Sequence, residues 1–181
     1  MKHILIGALF SLFLASCSDA TTDKPKIAEA PDGMPTPAGT PGAYEFADAE
    51  YSEFANKNLA ALESKDVDGY MSTFADNAIL KWNSGDSIAG KVAITAFFKQ
   101  LIEVDLDSVR FSNPIYLPVK VNQGFAPPGN YLLSWHDMAT TFKGGIKSVQ
   151  QIHLVTHYDA TDKIDYMSQF IDQSRFPSPK N

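Results

Sequence analysis

The first regular pattern of apolar and polar residues begins shortly after residue 44. Tyr51, Ala55, Leu59 and Leu62 recur at intervals of three or four positions, and charged residues fall between them. Residues at this spacing lie on one face of a helix, which buries that face and exposes the charged one. The sequence therefore predicts a first amphipathic helix here.

Two more helices and a strand follow in the pattern. Asp66-Val67-Asp68-Gly69 interrupts the first helix and can cap a short second one, in which Tyr70 and Phe74 share a face. Residues 78–83 alternate as a strand, and Gly90 precedes a third helix. The buried stripe of that helix is predicted to consist of Ile94, Phe97, Phe98 and Leu101.

The chain becomes rich in strand-forming residues after residue 105. The predicted strands are 108–121, 131–142, 148–158 and 163–173. They are separated by turn residues, which include Gly144 and Gly145 between the second and third of these strands. Helices that precede a run of antiparallel strands predict an α+β domain, in which three helices cover one face of a curved antiparallel sheet.

The N-terminus has the pattern of an export signal. A short basic start precedes an apolar run over residues 4–15, which predicts a secretory signal peptide over residues 1–16. The run is too short to remain as a membrane-spanning helix. It ends in Leu14-Ala15-Ser16-Cys17, which resembles the lipobox of bacterial lipoproteins. The resemblance implies that Cys17 becomes lipidated and anchors the protein in the cell envelope, and Ser18 implies the outer membrane.

The segment that follows the signal peptide has a different composition. Residues 17–43 hold five of the 11 prolines and few large apolar side chains, so they cannot offset the entropy of ordering. We predict a disordered tether over these residues, a folded domain over residues 44–176 and a short C-terminal tail over residues 177–181.

Charge and cysteine content exclude several classes of function. The 181-residue chain has a formal net charge of −6 and no cluster of Lys and Arg, so it lacks the basic surface that nucleic-acid binding requires. A single Cys excludes an intramolecular disulfide bond. We therefore expect no nucleic-acid partner.

Three local motifs occur in order along the chain: the passage from Asp66 to Ala78, the helix start from Gly90 to Phe98, and the final-strand residues Lys163-Ile164 with Gln169-Phe170-Ile171-Asp172. Together they resemble the nuclear transport factor 2-like superfamily and its SnoaL-like members. The resemblance implies a cone-shaped fold with a pocket between helices and sheet, and a homodimer through the outer sheet face. It does not imply one reaction, because the superfamily includes isomerases, cyclases, hydrolases and proteins that only bind.

The Gly144-Gly145 hairpin decides which side chains share a sheet face. A two-residue loop would pair Lys143 with Ile146 and place His136 opposite His153. His136 and His153 would then share a polar face, which also holds Ser134, Met138 and Gln151. The other face would hold Trp135, Asp137, Ile152 and Leu154. The pattern leaves open which face lies under the helices.

The resemblance to epoxide-hydrolysing relatives implies a set of pocket residues. The matching positions are Leu80, Trp82, Gln151, His153, Met167 and Gln169. The acidic residue that those enzymes carry at the position of Gln169 is absent, and so is their Arg-x-Asp pair near His136. Epoxide hydrolysis in that manner is therefore not expected.

The sequence contains single candidate catalytic residues but no complete catalytic set. An isomerase mechanism needs a carboxylate that shuttles a proton and a donor that stabilises an oxyanion. Tyr51 could be the donor, Asp137 and Asp172 are the candidate carboxylates, and His136 and His153 are candidate general bases. His153 and His157 lie four positions apart on a strand, too far to share one ion, so we expect no metal site and no cofactor.

These observations predict a lipid-anchored envelope protein that binds a small, partly apolar molecule without catalysis. The predicted ligand-binding residues are Tyr51, Leu80, Trp82, His136, Gln151, His153, Met167 and Gln169. Two alternatives remain open: an isomerase or cyclase that uses a pocket His as general acid or base, and a dimerising interaction module. The latter would use an apolar outer face with Trp135, Ile152, Leu154 and Phe170.

Overall fold

The computed structural model of the chain describes residues 44–122 and 127–176. The predicted signal peptide, the lipidation site at Cys17, the tether and the C-terminal tail all lie outside the described residues. None of the helices in the described ranges has the length and apolar character needed to cross a bilayer.

Three α-helices form in the predicted order, but the second is shorter than predicted, because Phe74, which was expected to share a face of it with Tyr70, is instead the first residue of a strand. They are α1 (Glu50–Glu63), α2 (Val67–Met71) and α3 (Lys91–Phe98). The Asp66 carboxylate caps α2 by accepting a hydrogen bond from the Gly69 backbone N–H at 2.8 Å. Gly90 precedes α3 with a φ of +88°, a conformation that side chains other than glycine rarely adopt. A π-helical segment, Lys99–Asp105, continues α3, and a 3-10 helix, Gln173–Arg175, lies near the C-terminus.

The described residues form one seven-stranded sheet. Its strands are β1 (Tyr44–Phe46), β2 (Phe74–Trp82), β3 (Ser87–Ala89), β4 (Leu106–Val121), β5 (Gly129–Phe142), β6 (Lys147–Tyr158) and β7 (Ile164–Phe170). Their order across the sheet is β1-β4-β5-β6-β7-β2-β3. The pairs are antiparallel except for β2 and β7, which run parallel. The α+β class is confirmed, and the short strands β1 and β3 were not predicted.

The helices pack against one face of the sheet, which we call the inner face. The Glu63 carboxylate at the end of α1 accepts a hydrogen bond from the Phe111 backbone N–H at 2.6 Å. Asn56, also on α1, accepts one from the Tyr116 hydroxyl at 2.7 Å. The Lys91 ammonium at the start of α3 donates to the Phe74 carbonyl at 3.1 Å. These bonds fix the helices over β4 and β2.

The predicted register of the β5–β6 hairpin is wrong by one residue. Phe142, not Lys143, closes the loop, because its N–H donates to the Ile146 carbonyl at 2.8 Å. The loop therefore has three residues, and Gly144 and Gly145 adopt φ values of +90° and +86° within it. As a result His136 stands opposite Ile152, and His153 stands opposite Trp135.

The corrected register separates the two histidines. A shift of one residue moves a whole strand to the opposite face, because side chains alternate with a period of two. His136 lies on the inner face, whereas His153 lies on the outer face and stacks on the Trp135 ring with a centroid distance of 4.6 Å. Ile152, predicted to share a face with Trp135, is instead buried on the inner face with His136.

Candidate functional site

A cavity with about 110 Å³ of free space lies between the helices and the inner face of the sheet. A single water needs about 10–15 Å³ of such space, so the cavity can hold a ligand of several heavy atoms. Its wall is mostly apolar. Leu101 and Phe97 contribute from the α3 side, and Val109, Ile152 and Met167 contribute from the sheet.

The side chains that line this cavity include no Asp, Glu, Lys or Arg. The polar lining residues, apart from tyrosines, are Asn58, Ser134, His136, Thr140, Thr156 and Gln169. An apolar wall with a few hydrogen-bonding groups is typical of small-molecule sites, in which the polar groups orient the ligand. The arrangement favours an uncharged occupant, because a buried charge needs a partner of opposite sign.

His136 is the most unusual of these groups. Its side chain is 1% exposed, and neither ring nitrogen has a hydrogen-bond partner among the described residues. Phe111 contacts the ring edge to face, at a centroid distance of 5.3 Å. Burial lowers the pKa of His136 to about 4, and the nearby Asp137 carboxylate only partly opposes this effect. The imidazole is therefore neutral at pH 7 and offers one N–H donor and one acceptor.

Two tyrosines of the cavity wall are also neutral. Burial raises the pKa of Tyr70 and of Tyr158 above the ordinary value for tyrosine. The Tyr70 hydroxyl donates to the Met167 sulfur at 3.7 Å, so its proton already has a partner. Neither hydroxyl can therefore supply a negative charge to the site near neutral pH.

Half of the predicted ligand-binding residues lie at the cavity. Trp82, His136, Met167 and Gln169 line it. Trp82 is held edge to face against Phe97 at a centroid distance of 5.2 Å. These four positions therefore remain candidates for contact with a ligand.

Two further predicted residues are buried outside the lining. Leu80 is 0% exposed and packs in the hydrophobic core. The Tyr51 hydroxyl is hydrogen-bonded to Asp162 and Asn130, each at 2.6 Å, which holds it away from the cavity. Burial and the Asp162 carboxylate raise the pKa of Tyr51 to about 12. The predictions that Leu80 and Tyr51 line the pocket are wrong.

Three other predicted site residues lie on the outer face. Gln151, His153 and Asp137 are excluded from the cavity by the corrected hairpin register, because their neighbours Ile152 and His136 point inward. The His153 Nδ1 lies 3.0 Å from the Ser134 carbonyl, and Asp137 accepts a hydrogen bond from the Asn113 amide at 2.8 Å. The predictions that Gln151 and His153 line the pocket are wrong. Neither His153 nor Asp137 can act on a molecule inside it.

Asn58 and Thr140 line the cavity and were not predicted. Asn58 is 8% exposed and interrupts the buried face of α1. A polar residue at a stripe position is the signal that could have revealed it. Thr140 follows His136 by four positions on β5 and therefore shares its face. The alternation that groups Ser134, His136 and Met138 on one face could therefore have revealed Thr140 as well.

Within residues 44–122 and 127–176, no group of three or more His, Cys, Asp or Glu side chains is arranged to hold a metal ion. His157 instead pairs with the Asp165 carboxylate, at 2.5 Å from Nδ1. Its Nε2 is buried close to Gly129, and His157 is not among the residues that line the cavity.

The comparisons with known proteins establish the fold. No family model and no curated protein matches the sequence. Solved structures that it resembles include a candidate isomerase from Bacillus subtilis, with a TM-score of 0.56, 15% identity, and coverage of 68% of this chain and 87% of that one. A candidate polyketide cyclase from Pseudomonas putida gives a TM-score of 0.54 and 14% identity, with coverage of 68% of this chain and 92% of that one.

A third structure carries the name of the fold. It is a nuclear transport factor 2-like protein of unknown function from Burkholderia pseudomallei, with a TM-score of 0.54, 12% identity, and coverage of 70% of this chain and 94% of that one. At these identities the likeness shows the architecture alone. The chain therefore has the nuclear transport factor 2-like fold, as its sequence motifs implied.

Proposed function

We propose that this protein binds a small, uncharged, largely apolar molecule in the cavity and recognises it through a hydrogen bond to His136. The observation that carries the proposal is the buried imidazole with two unpartnered nitrogens inside an apolar wall. A buried polar group without a partner costs about 1–3 kcal/mol, so such groups are expected to serve a ligand or a bound water.

A matched pair of probes tests this contact. p-Cresol and toluene have nearly the same shape, and only p-cresol carries a hydroxyl group that can bond His136. Binding of each probe to the full chain and to His136→Leu would be measured by ligand-observed NMR titration. The matched control is His153→Leu, because His153 is on the outer face of the sheet.

We expect both probes to bind the wild-type protein. In His136→Leu, the affinity of p-cresol relative to toluene should fall by about 2- to 10-fold, the value of one hydrogen bond. His153→Leu should leave that ratio unchanged. If neither probe binds, or if His136→Leu leaves the ratio unchanged, the proposal is refuted.

The second candidate is an isomerase or cyclase that uses His136 as general base, a function suggested by names among the similar structures. His136 is the one titratable imidazole in the cavity lining, which favours it for this role. However, a pKa of about 4 makes it a weak base, and no carboxylate lines the cavity to shuttle a proton.

Proton exchange separates binding from this chemistry. Cyclohexanone exchanges its α-protons with D2O slowly, and a positioned base would accelerate the exchange. If the protein only binds, exchange in its presence should match the rate with buffer alone. A rate increase that disappears in His136→Leu and persists in His153→Leu would favour the enzyme.

We also propose that the outer face of the sheet pairs with a second copy of the chain. Phe46, Ile79, Ile115, Leu117 and Phe170 expose between 37% and 81% of their area, and all lie on strands of this sheet. Sheet register places Ile115, Trp135, His153 and Phe170 in one row across four strands on that face. Ile152 and Leu154, which were predicted for this face, line the cavity instead.

The dimer is tested by light scattering at high micromolar concentration. A stable dimer buries about 800 Å² per partner, so a charge in the middle of the patch should disrupt it. Phe170→Asp is expected to give a monomer. Val92→Asp is the matched control, because Val92 is 87% exposed on α3, away from the sheet. A wild-type protein that is monomeric at this concentration would contradict the proposal.

Finally, we propose that the domain acts at the cell envelope, anchored through a lipid on Cys17. The four residues that end at Cys17 support this, and they lie outside the described part of the chain. Metabolic labelling of a bacterial host with an alkyne fatty acid should tag the full chain and leave Cys17→Ser unlabelled. Labelling of both proteins, or of neither, would contradict the proposal.

A further inference from the structure

Three buried polar groups without partners lie together near the loop that joins β5 and β6. They are the Thr140 Oγ1, the Ser148 Oγ and the Gln150 Nε2, and none of them has a hydrogen-bond partner among the described residues. Their side chains are 4%, 7% and 8% exposed. Unpartnered buried groups are uncommon in folded proteins, and three together point to a shared binding role.

The register of the hairpin brings the three side chains together. Thr140 on β5 is directly opposite Ser148 on β6, and directly opposed residues have Cβ atoms about 4.5–5.5 Å apart. Gln150 follows Ser148 by two positions and therefore points to the same face, about 7 Å further along the strand. Thr140 and its neighbour on that face, Met138, line the cavity. Ser148 and Gln150 are not among the lining residues; they stand directly opposite Thr140 and Met138 on the same face, and so lie beside the cavity wall.

Gln150 is oriented by the segment that follows β7. Its Oε1 accepts a hydrogen bond from the Asp172 backbone N–H at 3.1 Å, which leaves the two N–H donors of Nε2. The Asp172 carboxylate does not compete for them, because it accepts from Ser174 and Arg175. Arg175 is in turn held by Asp172, and it is not among the cavity-lining residues. The donors left for an occupant are therefore one amide and two hydroxyl groups, all neutral.

This chemistry selects an occupant with an uncharged oxygen acceptor. An amide N–H2 can only donate, and each hydroxyl can donate while its oxygen accepts elsewhere. A carbonyl oxygen has lone pairs for two of these donors. A carboxylate fits less well, because the cavity lining holds no cation to offset its charge.

His136 and Thr140 are four residues apart on β5, which corresponds to about 13 Å along the strand. Gln150 stands opposite Met138, halfway between them, so the inner face carries one polar anchor at His136 and a second that extends from Gln150 to Thr140 and Ser148. We propose that the ligand is an elongated molecule with a hydroxyl-type group bound by His136 and an uncharged carbonyl-type oxygen bound by Thr140, Ser148 and Gln150. This proposal rests on the function proposed above.

The second anchor can be tested apart from the first. 2-Octanone and 2-methyl-1-octene have the same skeleton, and the carbonyl oxygen of the ketone is replaced by a methylene group in the alkene. Their affinities for the full chain would be compared by competition with p-cresol in the NMR titration. The variants are Thr140→Val and Ser148→Ala, of which the second preserves the test if the first does not fold. Thr141→Val is the matched control, because Thr141 follows Thr140 on β5 and its side chain points to the outer face of the sheet.

We expect Thr140→Val and Ser148→Ala each to lower the affinity of the ketone relative to the alkene by about 2- to 10-fold, while Thr141→Val preserves the ratio. 8-Hydroxy-2-octanone, which carries both polar groups, should bind more tightly than 2-octanone, and His136→Leu should remove that advantage. If ketone and alkene bind but neither Thr140→Val nor Ser148→Ala changes their ratio, the second anchor is refuted and the proposed function stands. If no probe enters the cavity, both fail.

Discussion

The buried neutral His136 makes the stability of the fold depend on pH in a defined way. Its pKa is about 4 in the folded protein, against about 6.5 for an unperturbed histidine. Between these two values only the unfolded chain binds a proton at this residue. Acid therefore stabilises the unfolded state, and the folded state loses stability as the pH falls below about 6.5.

The size of the effect follows from the two pKa values. Lowering the pH from 7 to 5 should remove about 2 kcal/mol of unfolding free energy through His136 alone, and pH 4 should remove about 3 kcal/mol. A domain of this size has about 5–15 kcal/mol of stability, so the loss is measurable by urea denaturation.

The comparison that isolates His136 is with His136→Leu, which cannot titrate there and keeps an apolar side chain in the site. Groups that do not interact with His136 contribute equally to both proteins and cancel in the comparison. The stability difference between wild type and variant should therefore shift by about 2 kcal/mol between pH 7 and pH 5, to the disadvantage of the wild type. An NMR titration of the His136 ring should find a midpoint well below 6. Equal acid sensitivity of the two proteins, or a midpoint near 6.5, would refute the reasoning.

Three other predictions concern the fold itself, each measured as the change in unfolding free energy at pH 7. Leu80→Ala should lower the unfolding free energy by about 2–5 kcal/mol, because Leu80 is 0% exposed. Ile79→Ala is the control and should lower it far less, because Ile79 is 41% exposed on the opposite face; similar losses for the two variants would contradict this packing. Tyr51→Phe should cost about 0.5–1.5 kcal/mol because it removes the hydrogen bonds of the hydroxyl to the exposed Asp162 and the half-buried Asn130, and an unchanged stability would place that hydroxyl in water. Gly90→Ala should cost about 1–3 kcal/mol because a Cβ strains a φ of +88°, and a neutral result would show a different backbone at this helix start.

Much of the architecture was predictable because it depends on local pattern. The spacing of apolar residues in α1 and α3 reflects a helix that buries one face, and that spacing is present in the chain before it folds. The alternation along β5 likewise identified which of its residues share a face, including Ser134, His136 and Met138. The resemblance then supplied Trp82, Met167 and Gln169, which do line the cavity.

The location of the candidate site was not predictable in the same way, because it depends on how β5 and β6 pair. Gly144 and Gly145 are compatible with a loop of two residues or of three, since glycine accepts the positive φ values that either needs. The choice between the loops involves one residue, yet it inverts every side chain of β6 relative to β5.

By itself, therefore, the sequence determined the class of fold, the helix faces and which residues of β5 share a face. Only the tertiary structure decided that His136 is enclosed with Ile152 while His153 stacks on Trp135 outside. The physical reason is that Ile152 and Tyr158 on β6 gain burial against the helices in the three-residue register, and that gain comes from contacts between segments far apart in the chain.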